Sequence, residues 1–81
     1  IPHGWNTAVG LAADLHLASA FPGTDLVEYI IGSPYVDEIT EEGWVLDAEG
    51  MVRIPDAPGL GLTLDLDAVA RFADTTRLLA V

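Results

Sequence analysis

Between Thr7 and Phe21 the apolar residues recur at helical spacing. Val9, Ala12, Ala13 and Leu17 fall at intervals of about three and four, and Leu11, Leu15 and Ala18 carry apolar character round much of the cylinder. Only Asp14, His16 and Ser19 interrupt it. The pattern predicts a helix covered on more than one side, with Asn6 or Thr7 as its N-cap and Pro22-Gly23 as its stop. Leu26-Val27-Glu28-Tyr29-Ile30-Ile31 follows as a β-prone run bounded by Gly23 and Gly32-Ser33-Pro34. Its apolar residues are continuous and do not alternate, which predicts a strand buried on both faces, as in a parallel sheet. A helix feeding such a strand implies a βα unit whose first strand ends near Ile1 to His3.

After Gly32 the character changes. Trp44-Val45-Leu46 and Met51-Val52-Arg53-Ile54 flank Asp47-Ala48-Glu49-Gly50, which predicts a hairpin with glycine in the left-handed position. A stiff Pro55-Asp56-Ala57-Pro58-Gly59 loop comes next. Leu60, Leu62 and Leu64 then alternate with Gly61 and Thr63 as a half-buried strand. Asp65 or Asp67 can cap a last helix carrying Leu66, Val69, Ala70 and Ala73 on one face. The order is βαβ over residues 1–32, then an antiparallel excursion and a terminal helix over residues 33–81. No internal repeat is visible.

Composition sharpens this picture. The chain has 81 residues, 51% of them hydrophobic, and no cysteine. A chain this short buries only about 60% of its unfolded surface, and no disulfide can add to that. So apolar a sequence reads as a piece of a larger core that needs partner surface, and the start at Ile1-Pro2-His3, without methionine or leader, reads as a partial sequence. Thirteen Asp and Glu against three Lys and Arg give a net charge of −10, which disfavours nucleic acid and anionic membranes as partners. The acids are dispersed and read mostly as solvated positions. No apolar run approaches the roughly 20 residues of a membrane span.

Few residues can carry chemistry. His3 sits where a strand ends and a helix begins, the edge at which parallel α/β folds place catalytic groups. Glu28 is the one charge in the next strand. With a right-handed crossover and adjacent strands about 4.8 Å apart, His3 and Glu28 face one pocket. A carboxylate in a doubly buried strand is costly unless paired or protonated, and desolvation would favour its neutral, hydrogen-bond-donating form. A salt bridge to an arginine outside the chain accounts for Glu28 equally well, and a loop or packing role accounts for His3. Trp5 and Tyr29 are packing residues that could line the pocket and contact substrate. His16, in mid-helix, reads as structural. Asp37, Glu38, Glu41 and Glu42 read as a solvated loop or helix start, and no metal site is assigned.

Pro2-His3-Gly4-Trp5, the helix Gly10-Leu11-Ala12-Ala13-Asp14-Leu15-His16-Leu17-Ala18-Ser19-Ala20, Leu26-Val27-Glu28-Tyr29 and Ile54-Pro55-Asp56-Ala57-Pro58-Gly59-Leu60-Gly61 together resemble the C-terminal region of enolase-superfamily enzymes of the mandelate-racemase type. The resemblance runs from Pro2 to about Phe72. It implies an α/β fold: the last βαβ unit of a TIM-like (β/α) barrel, with strands seven and eight in residues 1–32. Residues 33–81 would form the C-terminal segment that returns to an α+β capping domain. On the family pattern Mg²⁺ is held by acids on strands three to five, outside this chain. His3 is then the acid or base of a His-Asp dyad whose aspartate lies on strand six. Glu28 is the strand-eight glutamate that hydrogen-bonds the substrate carboxylate, and a Lys-x-Lys motif lies on strand two.

The resemblance further implies a cytoplasmic, often oligomeric enzyme that removes the proton next to a carboxylate, most simply to dehydrate a sugar acid. A histidine at position 3 disfavours the muconate-cycloisomerase branch, which uses lysines on both faces. Racemisation or epimerisation of a 2-hydroxy acid is the alternative. An acidic interaction module without catalysis is a third reading. The 81 residues alone are expected to be inactive.

Overall fold

A computed structural model describes residues 1–4 and 6–73. Three helices appear: α1 (Ala8–Ala20), α2 (Pro34–Asp37) and α3 (Leu66–Phe72). Helix α1 lies within one residue of the expected bounds at each end. Thr7 is its N-cap, its hydroxyl accepting the Val9 amide at 3.2 Å, and Phe21 closes the other end. Ala8, Leu11, Ala12 and Leu15 form the buried stripe, spaced for one helix face. Cover on more than one side is not found: Val9 and Leu17 are exposed.

The segment 26–31 is extended but forms no ladder of its own among the described residues, where a doubly buried strand was expected. Two hydrogen bonds tie it to the chain start. The Ile1 nitrogen donates to the Leu26 carbonyl and the Glu28 amide donates to the Ile1 carbonyl, both at 2.9 Å. This is the bonding of a parallel pair centred on Ile1 and Val27. Val27 and Tyr29 pack inward on the α1 core, whereas Leu26 is 82% and Ile31 81% exposed. For Leu26 the reason is geometric: it points to the face opposite Val27 and Tyr29, and among the described residues only α1 supplies a layer. Ile31 shares the inner face but lies beyond the packed core at the segment's end.

Beyond Gly32, Pro34 opens the single turn α2, seating Val36 on Leu11 and Leu15. The hairpin forms as expected. Leu46 bridges Val52 antiparallel, Gly50 takes φ 77°, and Asp47 Oδ1 accepts the amides of Glu49 (2.8 Å) and Met51 (2.9 Å). A carboxylate holding two turn amides is what places Asp at this position. Trp44, Val52 and Ile54 then close over the α1 core.

The alternating strand at 60–64 reduces to one antiparallel bridge, Thr40 with Leu64, flanked by Glu41 N–H to Thr63 O and Asp65 N–H to Ile39 O, each 2.9 Å. Asp65 caps α3 by accepting the Ala68 amide at 3.2 Å. The expected face of this helix is corrected: Ala68 is the buried residue, while Leu66 is 72% exposed. Phe72 makes the other contact, edge-on to Tyr35 with ring centres 5.5 Å apart. Val69 and Phe72 are half-buried, so the face that turns inward runs through Ala68, Val69 and Phe72 and leaves Leu66 and Ala70 outside.

Candidate active site

The parallel pairing decides where His3 and Glu28 lie. With Ile1 opposite Val27, the next bond of a continuing ladder would run from the His3 amide to the Glu28 carbonyl. The Glu28 side chain takes that donor instead, Oε1 accepting His3 N–H at 3.0 Å. The carboxylate thereby ends the pairing and is fixed beside His3. The two residues singled out from sequence are brought together at one strand end. His3 is half-buried with its Nδ1 buried, whereas Glu28 is exposed. The desolvation expected for Glu28 is therefore not found, because no described residue covers its outer side.

His3 and Glu28 share a small pocket of about 20 Å³ with Asn6, Thr7 and Asp14, room for one water-sized group. Asp14 appears in the sequence only as an interruption of an apolar run. Its signal is nonetheless there: Thr7, Leu11 and Asp14 fall at i, i+4 and i+7, so they share a helix face beside the buried stripe. Asn6 is the second residue that sequence reasoning passed over, having been considered only as a cap.

Tyr29 stands apart from this pocket. It packs on Leu11, Leu15 and Val36 and lines a separate hollow of about 310 Å³ between α1 and the hairpin. Burial, and secondarily the negative charge of Asp37, push its phenol above the usual tyrosine range, so it stays protonated. Trp5, the other residue considered for substrate contact, lies outside the described residues.

The acidic stretch at 37–42 is used structurally at two points. Both oxygens of Glu42 lie 2.9 Å from the Thr63 amide, and these hydrogen bonds hold its carboxyl below the usual glutamate range. Glu38 meets Arg71 at 3.6 Å. Among the described residues no three His, Asp or Glu side chains converge to hold a metal ion. The described residues therefore do not fit a magnesium site on their own.

A family described as enolase C-terminal domain-like matches residues 1–69. The chain belongs to that family. Membership implies a TIM-barrel-related fold. Among curated proteins, a D-galactonate dehydratase family member of Streptomyces bingchenggensis is 38% identical over 73 residues, covering 88% of this chain and 18% of that protein. D-xylonate dehydratase of Haloferax volcanii is 37% identical over 68 residues, 83% of this chain and 16% of its own length. Muconate cycloisomerase 1 of Rhodococcus opacus is 38% identical over 61 residues, 75% and 16%. The chain thus spans less than a fifth of these relatives, which are sugar-acid dehydratases and a cycloisomerase of the enolase superfamily. Similarity alone does not separate the two branches. No described helix is long and apolar enough to cross a membrane.

Proposed function

We infer that this chain is the strand-seven to strand-eight region of an enzyme that removes the proton α to a carboxylate and expels a hydroxyl, dehydrating a sugar acid. The observation that carries the reading is the fixed juxtaposition of His3 and Glu28 at one strand end. An imidazole is the side chain best suited to take a proton and return one near neutral pH. In this reading one imidazole nitrogen of His3 faces the substrate and the other an aspartate from strand six. His3 then delivers a proton to the departing hydroxyl. Glu28 sits where the substrate carboxylate gains charge and would hydrogen-bond one of its oxygens. The dehydratases among the relatives support loss of water as the outcome.

The rest belongs to the same proposal. The parent enzyme is cytoplasmic, assembles as a homo-oligomer, and uses Mg²⁺ held by residues outside this chain. Residues 33–81 return to a capping domain that selects the substrate. The 81 residues alone are inactive, since two strands cannot close a barrel.

A second reading, racemisation or epimerisation of a 2-hydroxy acid, uses the same proton abstraction without loss of water. Cycloisomerisation also shares that step, and the muconate cycloisomerase and a D-galactarolactone cycloisomerase of Agrobacterium fabrum, 33% identical over 82 residues, favour keeping it in view. The test is to incubate the full-length enzyme and Mg²⁺ with a panel of sugar acids, lactones and 2-hydroxy acids. A 2-keto acid product supports dehydration. Inversion of configuration, or lactone opening, without release of water would replace it with one of the alternatives.

A further inference from the structure

The turn between His3 and α1 contains a side chain that the fold confines but does not use. Gly4 and Gly10 both lie against Asn6. A Cβ at Gly4 would stand 2.5 Å from Asn6 Nδ2; one at Gly10 would meet Asn6 Cβ and stand 2.8 Å from its Cγ and 2.9 Å from Nδ2. Neither glycine has a positive φ, so what these positions need is space, and the space is taken by Asn6. Yet the Asn6 amide makes no hydrogen bond among the described residues, and it is exposed. The capping task falls to Thr7, which holds the Val9 amide. Asn6 instead lines the pocket of His3 and Glu28.

A polar side chain that leans on two glycines, is unused by its own fold and lines the pocket of His3 and Glu28 is available to a ligand there. An amide offers one acceptor and two donors, which matches a hydroxyl acting as donor and acceptor at once. We propose that Asn6 binds a hydroxyl of the substrate, on the carbon chain beside the centre that His3 serves. This rests on the reading of the site as one for polyhydroxy acids and adds a specificity-determining residue to it. Gly4 and Gly10 are its positioning residues, leaving the room that fixes the amide.

The experiment is calorimetric binding of D-galactonate, D-xylonate and single-deoxy analogues to the full-length enzyme with Mg²⁺, carrying His3→Asn to stop turnover, with and without Asn6→Ala. The expected result is binding about tenfold weaker for the hydroxylated acids, with no change for the analogue lacking the recognised hydroxyl. Unchanged affinity for every ligand overturns the proposal and leaves the dehydratase reading standing. A uniform loss across all ligands, deoxy analogues included, also overturns it, because a structural role would act that way. Binding of no sugar acid even with Asn6 intact removes the dehydratase reading and this inference together. Where Asn6→Ala does not fold, Asn6→Asp preserves the shape while adding a charge that repels the acid. It is expected to weaken binding more than tenfold, and equal binding overturns the proposal.

Discussion

Residues 1–32 and residues 33–73 are held by different physics. The first region rests on an apolar stripe of α1 against Val27 and Tyr29, with one pair of backbone bonds joining its extended segments. Much of its apolar surface faces outward: Leu17, Phe21, Leu26 and Ile31 are each more than half exposed. The second region is stitched by carboxylates that accept backbone amides, Asp47 across the hairpin, Glu42 on Thr63 and Asp65 at α3. Outward apolar residues do not distinguish the regions, since Val45, Met51 and Leu66 of the second are also more than half exposed; what differs is that apolar packing holds the first and carboxylate-to-amide bonds close the turns of the second.

The largest effect should come from His3, in the first region. His3→Asn in the full-length enzyme should lower kcat by at least about 100-fold, the scale of a lost general acid or base, while leaving the thermal midpoint nearly unchanged. Exchange of the substrate α-proton in deuterated water, followed by NMR, separates the two roles: loss of exchange makes His3 the base, and exchange without release of water makes it the acid. A variant that retains full turnover would detach His3 from the chemistry and leave only the packing contrast between the regions.

The next effect compares the two kinds of cement. Leu15→Ala removes a core side chain that is 6% exposed and should destabilise the protein by about 2–4 kcal/mol. Asp47→Ala should act locally, lowering hydrogen-exchange protection at Glu49 and Met51 with a smaller change in global unfolding. Equal global losses from both would show that the hairpin is as integral to the core as α1.

How far the sequence carried this depended on whether a signal was local. Helix α1, its cap at Thr7 and the Asp47–Gly50 hairpin were legible because each is written in a few consecutive residues. The pairing of Thr40 with Leu64 was not, since nothing in either segment names a partner more than twenty residues away. The juxtaposition of His3 and Glu28 was legible through the handedness of βαβ crossovers. The exposure of Glu28 was not, because a continuous apolar run reports the cover a strand is built for, and this chain supplies only one side of it. In the sequence Tyr29 reads as a packing residue that could line the pocket; it packs, but on the face opposite Glu28, as neighbours along an extended chain do. The acidic composition misled in one respect: Glu42 and Asp47 hold backbone amides and are more than solvated charges.

The smallest effect tests that last point. Glu42 is fully exposed, so its charge is screened, but its carboxylate accepts the Thr63 amide and its pKa is lowered by that bond. A carboxyl whose folded pKa lies below its unfolded value of about 4.3 binds protons more weakly when folded. Its stabilising contribution is therefore complete above the unfolded value and is lost as pH falls through the lower folded value. Glu42→Gln keeps an acceptor at the same place without the charge. The stability difference between wild type and this variant, from urea unfolding at a series of pH values, should be largest near neutrality and shrink steadily below the ordinary glutamate range. A difference that does not vary with pH would mean that the bond to Thr63 depends on shape alone. The second region would then owe its closure to turn geometry and not to its carboxylates.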